Sequence, residues 1–225
     1  MRPTALITGS SRGLGAAIAR ELAPTHNLLL GARSARSLEP ITAELSGSTP
    51  WPVDLTDYDA VAAAARSIDN LNVLVHNAGI ADLGTIEESS VDQWRRTFEA
   101  NVIAVAELTR VLLPTLRAAG GHVVLINSGA GLRANSGWAS YAASKFALRA
   151  FGDALRLEEP MLRVTSIHPG RIDTDMQRAI VDGEGGDYDS ARFLKASTVA
   201  RAVRTAVETP ADAHPTEIVL RPTGR

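Results

Sequence analysis

The chain of 225 residues contains no cysteine, which excludes disulfides and thiolate metal sites and fits a reducing cytoplasm, the compartment expected for it. No run approaches the roughly 18 consecutive apolar residues that span a bilayer. Met1-Arg2-Pro3 passes almost at once into the strand-like Ala5-Leu6-Ile7, so no signal peptide is expected either. Neither sign of charge dominates: 23 basic and 25 acidic side chains leave a formal net charge of -2, the wrong balance for a protein that neutralises phosphate backbones. Aromatic residues make up only 4% of the chain, and no basic run interleaved with stacking rings marks a nucleic-acid surface. Neither a membrane nor a nucleic acid is therefore expected as a partner. Lysine is scarce, present only as Lys145 and Lys195 against a background of arginine, so the placement of those two residues carries information. What remains is an ordinary globular composition, 45% hydrophobic and 21% charged, in a chain long enough for one large domain.

Short apolar runs recur at Thr4–Ile7, Asn27–Gly31, Pro50–Val53, Asn72–His76, His122–Asn127, Arg163–His168 and Glu217–Leu220, each of strand length. Helical spacing fills the intervals at Leu14–Leu22, Ser37–Leu45, Tyr58–Ile68, Val91–Ala118, Ala139–Leu157 and Thr198–Glu208. Alternation of near-continuous apolar strands with helices predicts a doubly wound α/β fold, a parallel sheet of seven strands with helices on both faces. No linker divides it, and residues 1–225 read as a single domain. In such a fold ligands bind beyond the carboxyl ends of the strands, near the point where strand order reverses. The segments following each strand are therefore the ones to inspect.

After the first strand comes Thr8-Gly9-Ser10-Ser11-Arg12-Gly13-Leu14-Gly15, which opens into a helix. Glycines permit positive φ and close backbone approach, and the first free N–H groups of the helix attract a pyrophosphate. Alone, such a loop is also compatible with a plain tight turn. At this point the chain resembles the short-chain dehydrogenase/reductase family, whose motif Thr-Gly-x-x-x-Gly-x-Gly is matched by Thr8, Gly9, Gly13 and Gly15. Asp54-Leu55 after the third strand matches the family's adenine-holding position, and Asn77-Ala78-Gly79 after the fourth matches its Asn-Ala-Gly turn. His76 departs from the pattern, where the family usually carries a second Asn; we read it as a structural residue. The resemblance runs from Thr4 to about Leu220 and implies a Rossmann fold that binds a nicotinamide dinucleotide along Gly9, Ser11, Arg12, Gly13, Leu14 and Gly15.

Dinucleotide folds that hold NAD place an acidic residue at the end of the second strand, where it bonds the ribose 2′-hydroxyl. Here that strand ends Leu30-Gly31-Ala32-Arg33-Ser34, without an acid. Arg33, with Arg12 from the glycine loop, is placed to pair with a 2′-phosphate, so NADP(H) is the expected cofactor. No metal site is expected.

Tyr141 and Lys145 lie four residues apart, on one face of a predicted helix. With three tyrosines and two lysines in 225 residues, chance produces a Tyr-x-x-x-Lys in about 3% of such chains. Ser128 ends the fifth strand and Asn101 lies in the long helix after the fourth. Together they match the family's Asn, Ser, Tyr and Lys tetrad. Protonating the alkoxide left by hydride transfer needs a tuned acid, and a lysine ammonium together with the positive nicotinamide of an oxidised cofactor would bring a tyrosine down from its ordinary pKa of about 10. The resemblance implies that Tyr141 is the general acid or base, that Lys145 bonds the nicotinamide ribose and that Ser128 orients the substrate oxygen. It further implies that Asn101 holds a proton-relaying water. After the sixth strand, Pro169-Gly170 followed by Thr174 resembles the family's nicotinamide-carboxamide site, while His168 reads as structural.

Substrate is expected among the loops 81–84, 129–138 and about 171–197. Arg133, Asn135 and Arg171 suit an acidic or polar ligand, whereas Leu132, Trp138, Met176 and Phe193 suit an apolar one. The last loop, with Asp182-Gly183-Glu184-Gly185-Gly186-Asp187, is compatible with a lid or with a disordered surface segment. The function implied is NADPH-dependent interconversion of a small-molecule carbonyl and its alcohol. The short ending with Glu217-Ile218-Val219-Leu220-Arg221-Pro222, before the last residues Thr223-Gly224-Arg225, resembles that of serine or 3-hydroxy acid dehydrogenases, which are a narrower alternative, and a non-catalytic NADPH sensor is a second. The family's habit of pairing through its two long helices implies a homodimer or homotetramer.

Overall fold

Each central strand is buried on both faces, which is why its sequence is apolar without alternation. In the computed structural model, which describes residues 2–223, β1 (Thr4–Ile7) sends Ala5 and Ile7 to one face of the sheet and Leu6 to the other, all fully buried. Met1, Gly224 and Arg225 lie outside the described residues, and with them the last two positions of the short ending. The strands β2 (Asn27–Ala32), β3 (Ser48–Pro52), β4 (Val73–His76), β5 (His122–Ile126) and β6 (Arg163–Pro169) follow in chain order. With the later β9 (Glu217–Leu220) they form one parallel sheet of seven strands in the order β3-β2-β1-β4-β5-β6-β9. Ile7 stands beside Leu30 on one side and Val75 on the other, so strand order reverses between β1 and β4.

Helices α1 (Gly13–Leu22), α2 (Ala35–Glu44) and, near the end of the chain, α8 (Ala196–Glu208) cover one face, where Ile18, Leu22, Leu38 and Val203 meet Ile7, Val75 and Val124. The other face is covered by α3 (Tyr58–Ala65), α5 (Ala104–Ala119) and α6 (Ala139–Glu158), whose Val61, Leu108, Leu112 and Leu148 pack on Leu6, Leu74 and Leu125. No described helix is long and apolar enough to cross a membrane.

Two predicted elements differ from the structure. The single helix expected over Val91–Ala118 is broken into α4 (Val91–Phe98), a π-helical turn at Glu99–Ile103, and α5. Segment 171–197 is ordered: β7 (Ile172–Asp173) pairs in parallel with β8 (Leu194–Lys195), and α7 (Asp175–Gly183) stands between them. The acidic glycine-rich stretch is the end of that helix, closed by Gly186 N–H on the Val181 carbonyl at 3.0 Å with Gly185 at φ +68.

Candidate active site

A cleft of about 1100 Å³ runs along the carboxyl ends of the strands, from Arg33 and Asp54 past the glycine loop to Ser128, Tyr141 and α7. Its floor is main chain. Gly9 and Gly13 hold φ of +65 and +56, which side-chain-bearing residues rarely adopt. A Cβ on Gly15 would stand 2.1 Å from the Gly9 carbonyl oxygen and 2.6 Å from Asn77 Nδ2. The loop and the Asn77-Ala78-Gly79 turn are thus fitted to each other at backbone distance. Asn77 Nδ2 donates to the carbonyls of Thr8 and Gly9 at 2.9 and 3.1 Å, and Thr8 Oγ1 accepts the N–H groups of Asn77 and Ala78, each at 3.0 Å. Arg12, at the N-cap of α1, makes no capping side-chain bond, so the first N–H groups of α1 are left for an anion. Ser11 and Leu14 line the same stretch.

At one end, Arg33 is exposed and meets no carboxylate within ion-pairing distance among the described residues, while Asp54 and Leu55 form the neighbouring wall. Asp54 Oδ1 accepts the N–H and hydroxyl of Thr56 at 3.0 and 2.8 Å, and these bonds hold its carboxyl below the usual range. Arg12 also lines the cleft, but its guanidinium rests on Asp175 at 3.2 Å, a pair so exposed that an incoming anion displaces it at little cost. The expectation that Arg12 joins Arg33 at one phosphate is therefore not met here, because Asp175 at the start of α7 already engages it.

At the other end, β5 delivers Asn127 and Ser128, and α6 presents Tyr141 and Lys145 on its inward face. Burial pushes the Tyr141 phenol above its ordinary value, and the neighbouring Ser128 hydroxyl partly offsets that rise. Lys145 is buried, and its Nζ donates to the Ile126 carbonyl at 3.0 Å and lies 5.7 Å from the centre of the Tyr141 ring. Burial brings its pKa down to about 8. Of the two charges expected to lower Tyr141, Lys145 by itself does not do so: burial raises the phenol, and the ammonium faces the ring and the Ile126 carbonyl.

Asn101 sits in the π turn, an irregularity that recurs at functional sites. Its Nδ2 donates to the Ile80 carbonyl at 2.9 Å and to Ser144 Oγ at 3.1 Å, and its Oδ1 accepts the Ile80 N–H at 2.9 Å. Both amide donors are thereby engaged, and the side chain clamps the loop after β4 to α6. Pro169 and Gly170 end β6 in the cleft wall, with Gly170 N–H on the Leu220 carbonyl at 2.8 Å. Thr174 lines the cleft as expected, but its hydroxyl also caps α7, accepting the Gln177 N–H at 3.3 Å.

The two histidines read as structural are structural. His76 is buried against Thr109 Oγ1 at 2.9 Å and brought down to about 3 by desolvation, while His168 is fully buried with Nδ1 3.2 Å from the Ser128 carbonyl. Asn127, which the sequence reading passed over, receives the Ser128 N–H at 2.8 Å and donates to the Lys145 carbonyl at 3.1 Å, tying β5 to α6 at the site. Its signal was its place immediately before Ser128.

A family model described as short chain dehydrogenase matches residues 3–185. The chain belongs to the short-chain dehydrogenase family. It is therefore an oxidoreductase of the class that acts on alcohol and carbonyl groups with a nicotinamide dinucleotide. Among similar short-chain dehydrogenases, dehydrogenase/reductase SDR family member 7B of Mus musculus is 36% identical over 223 residues, 90% of this chain and 69% of that protein. Trans-4-hydroxycyclohexanecarboxylate dehydrogenase of Sinomonas cyclohexanicum is 36% identical over 199 residues, 80% of this chain and 76% of that protein. The alcohol dehydrogenase of the archaeon Thermococcus sibiricus, solved with 5-hydroxy-NADP, superposes with a TM-score of 0.91 at 29% identity, covering 100% of this chain and 98% of that one.

Proposed function

We propose that this short-chain dehydrogenase is an NADP(H)-dependent carbonyl reductase or alcohol dehydrogenase with Tyr141 as its general acid and base. One observation carries the reading: a single cleft has Arg33 without an acidic neighbour on its strand at one end, and Ser128, Tyr141, Lys145 and Asn101 together at the other. The likeness to an archaeal alcohol dehydrogenase solved with an NADP derivative supports the cofactor. The residues fit a dinucleotide, since the uncapped start of α1 and the side-chain-free Gly9, Gly13 and Gly15 leave a polar cradle where a pyrophosphate would lie.

When bound, the nicotinamide supplies hydride in reduction, and its oxidised ring supplies a positive charge that favours tyrosinate. Arg33 would hold the 2′-phosphate, Asp54 and Leu55 the adenine, and Asn77 to Gly79, Pro169, Gly170 and Thr174 the remainder. Ser128 orients the substrate oxygen toward Tyr141. Tyr141, its pKa raised by burial, keeps its proton through neutral pH and gives it to the nascent alkoxide in reduction; in oxidation the phenolate takes the alcohol proton. Lys145 supplies positive charge beside the Tyr141 ring, from an ammonium that burial brings down to a pKa of about 8.

The test is cofactor oxidation against a panel of aldehydes, ketones, quinones and 3-oxo acids, with Tyr141→Phe alongside. Turnover falling about a thousandfold in folded Tyr141→Phe protein is expected. Retained turnover would overturn the assignment. For the wild type, reductive kcat/KM should fall as pH rises through about 8, the value to which burial brings Lys145. Ile103 and Phe146 are exposed on the helical segments through which a homodimer or homotetramer would form, and sedimentation will read the assembly.

A further inference from the structure

The substrate end of the cleft has two arginines in its wall, Arg96 and Arg171, and each is already matched by a carboxylate of this chain. Arg171 pairs with Glu184, and Arg96 Nη2 pairs with Asp82 Oδ2 at 2.8 Å. The Arg171 guanidinium lies 5.7 Å from the ring centres of both Trp138 and Phe193, and its Nε is buried without a hydrogen-bond partner. The Nε and Nη2 edge that grips a carboxylate with two prongs is therefore half covered and half taken by Glu184. Arg133, the other cation considered for this region, is exposed and does not line the cleft.

These pairs are fixed by their surroundings. Glu184 follows α7, a helix end where a negative charge is unfavourable unless a cation meets it. The turn through Gly185 and Gly186 holds it in place. Asp82 is fixed through its main-chain carbonyl, which accepts Gln93 Nε2 at 3.0 Å and Ser140 Oγ at 3.3 Å. What the cleft wall offers beyond the pairs is apolar or neutral. Met176, Ile180 and Glu184 follow one another at helical spacing along the face of α7 that lines the cleft. Ile80, Ala130 and Trp138 stand in the wall with them. Gln177, only 4% exposed, keeps Nε2 without a partner, an uncharged donor rather than a cation.

We infer that the substrate is a neutral, largely apolar carbonyl compound or its alcohol, and that Glu184 and Asp82 act as specificity residues that keep carboxylate-bearing substrates out. A carboxylate entering the pocket would find both arginines already paired and would meet Glu184 in the cleft wall as a like charge, with Asp82 behind Arg96. The inference rests on the reductase reading and turns it away from the serine and 3-hydroxy acid alternative.

The experiment uses two ketones of similar shape and opposite charge state, 4-methylcyclohexanone and 4-oxocyclohexanecarboxylate. For the NADPH-loaded wild type, kcat/KM should favour the neutral ketone by about tenfold or more. Glu184→Gln should narrow that ratio by about tenfold by freeing Arg171, and adding Arg171→Gln should restore it. Asp82→Asn should act in the same direction at Arg96. A wild-type ratio at or below one, or a ratio that neither Glu184→Gln nor Asp82→Asn moves, overturns the inference. Calorimetry of both ketones with cofactor-loaded Tyr141→Phe protein separates the two readings. Tighter binding of the neutral ketone without wild-type turnover sinks the reductase reading and sustains the pocket. Turnover with the acid preferred does the reverse, and binding of neither ketone overturns the pocket inference.

Discussion

Where the cleft passes β1 and β4 its wall is main chain, with glycines in contact and helix N–H groups facing inward; where it passes β5, β6 and α7 its wall is side chain. The first kind of surface is set by how closely two turns approach, so it suits a part that all dinucleotides share rather than one that tells them apart. The second is set by individual groups such as Trp138, Arg171, Glu184 and Met176, which can change without moving the sheet. The division separates what the fold dictates from what this chain selects.

The most severe way to break that division is Gly15→Ala. A methyl group 2.1 Å from the Gly9 carbonyl oxygen must push apart two backbone segments, so a stability loss of about 3 kcal/mol or more is expected in denaturant unfolding, with loss of cofactor binding. Second in size is Arg33→Ser, which should weaken NADPH by about ten- to a hundredfold in calorimetry and leave NADH almost unchanged. Equal loss for both cofactors would deny Arg33 its part at the 2′-phosphate.

A smaller effect sharpens the contrast through pH. His76, beneath the main-chain half, and His122, at the far end of β5, are both held near pKa 3 by burial. An unfolded chain protonates each below about 6.5. Stability is therefore full above that value and declines as pH falls toward 3, by about 1.4 kcal/mol per pH unit for each histidine. Urea midpoints between pH 7 and 4.5 should show this slope, and His76→Asn should remove one increment of it. Acid thus attacks the scaffold, whereas alkali, through Lys145, attacks turnover.

Much of the scaffold was legible because its information is local. Strands such as Val73–His76 are buried on both faces and read as unbroken apolar runs, and the glycine loop and the Tyr141–Lys145 spacing each lie within one short segment. Partnerships between distant segments were not legible. Arg12 meets Asp175 from 163 residues away, and Arg171 meets Glu184 across the whole of α7. Composition showed these as free charges, and only folding shows them neutralised. The order in 171–197 escaped for a related reason: β7 and β8 are two residues each and become strands only by pairing with one another. The clamp that Asn101 makes with the Ile80 main chain and Ser144 likewise leaves no trace in the sequence around it.

The π turn at Glu99–Ile103 has a consequence for how this segment can change. A helix that carries one surplus residue per turn is locally underwound, and removing that residue lets α4 run into α5 as a continuous, better-bonded rod. Because the wide turn absorbs its surplus residue, the faces of α4 and α5 would keep their phase across such a deletion, and Leu108 and Leu112 would stay in the core. What would change is local: Asn101, placed by the wide turn, would lose its grip on Ile80 and Ser144. The irregularity is thus a displacement of one side chain from an otherwise continuous rod, so the shortened segment would be the better helix without its clamp.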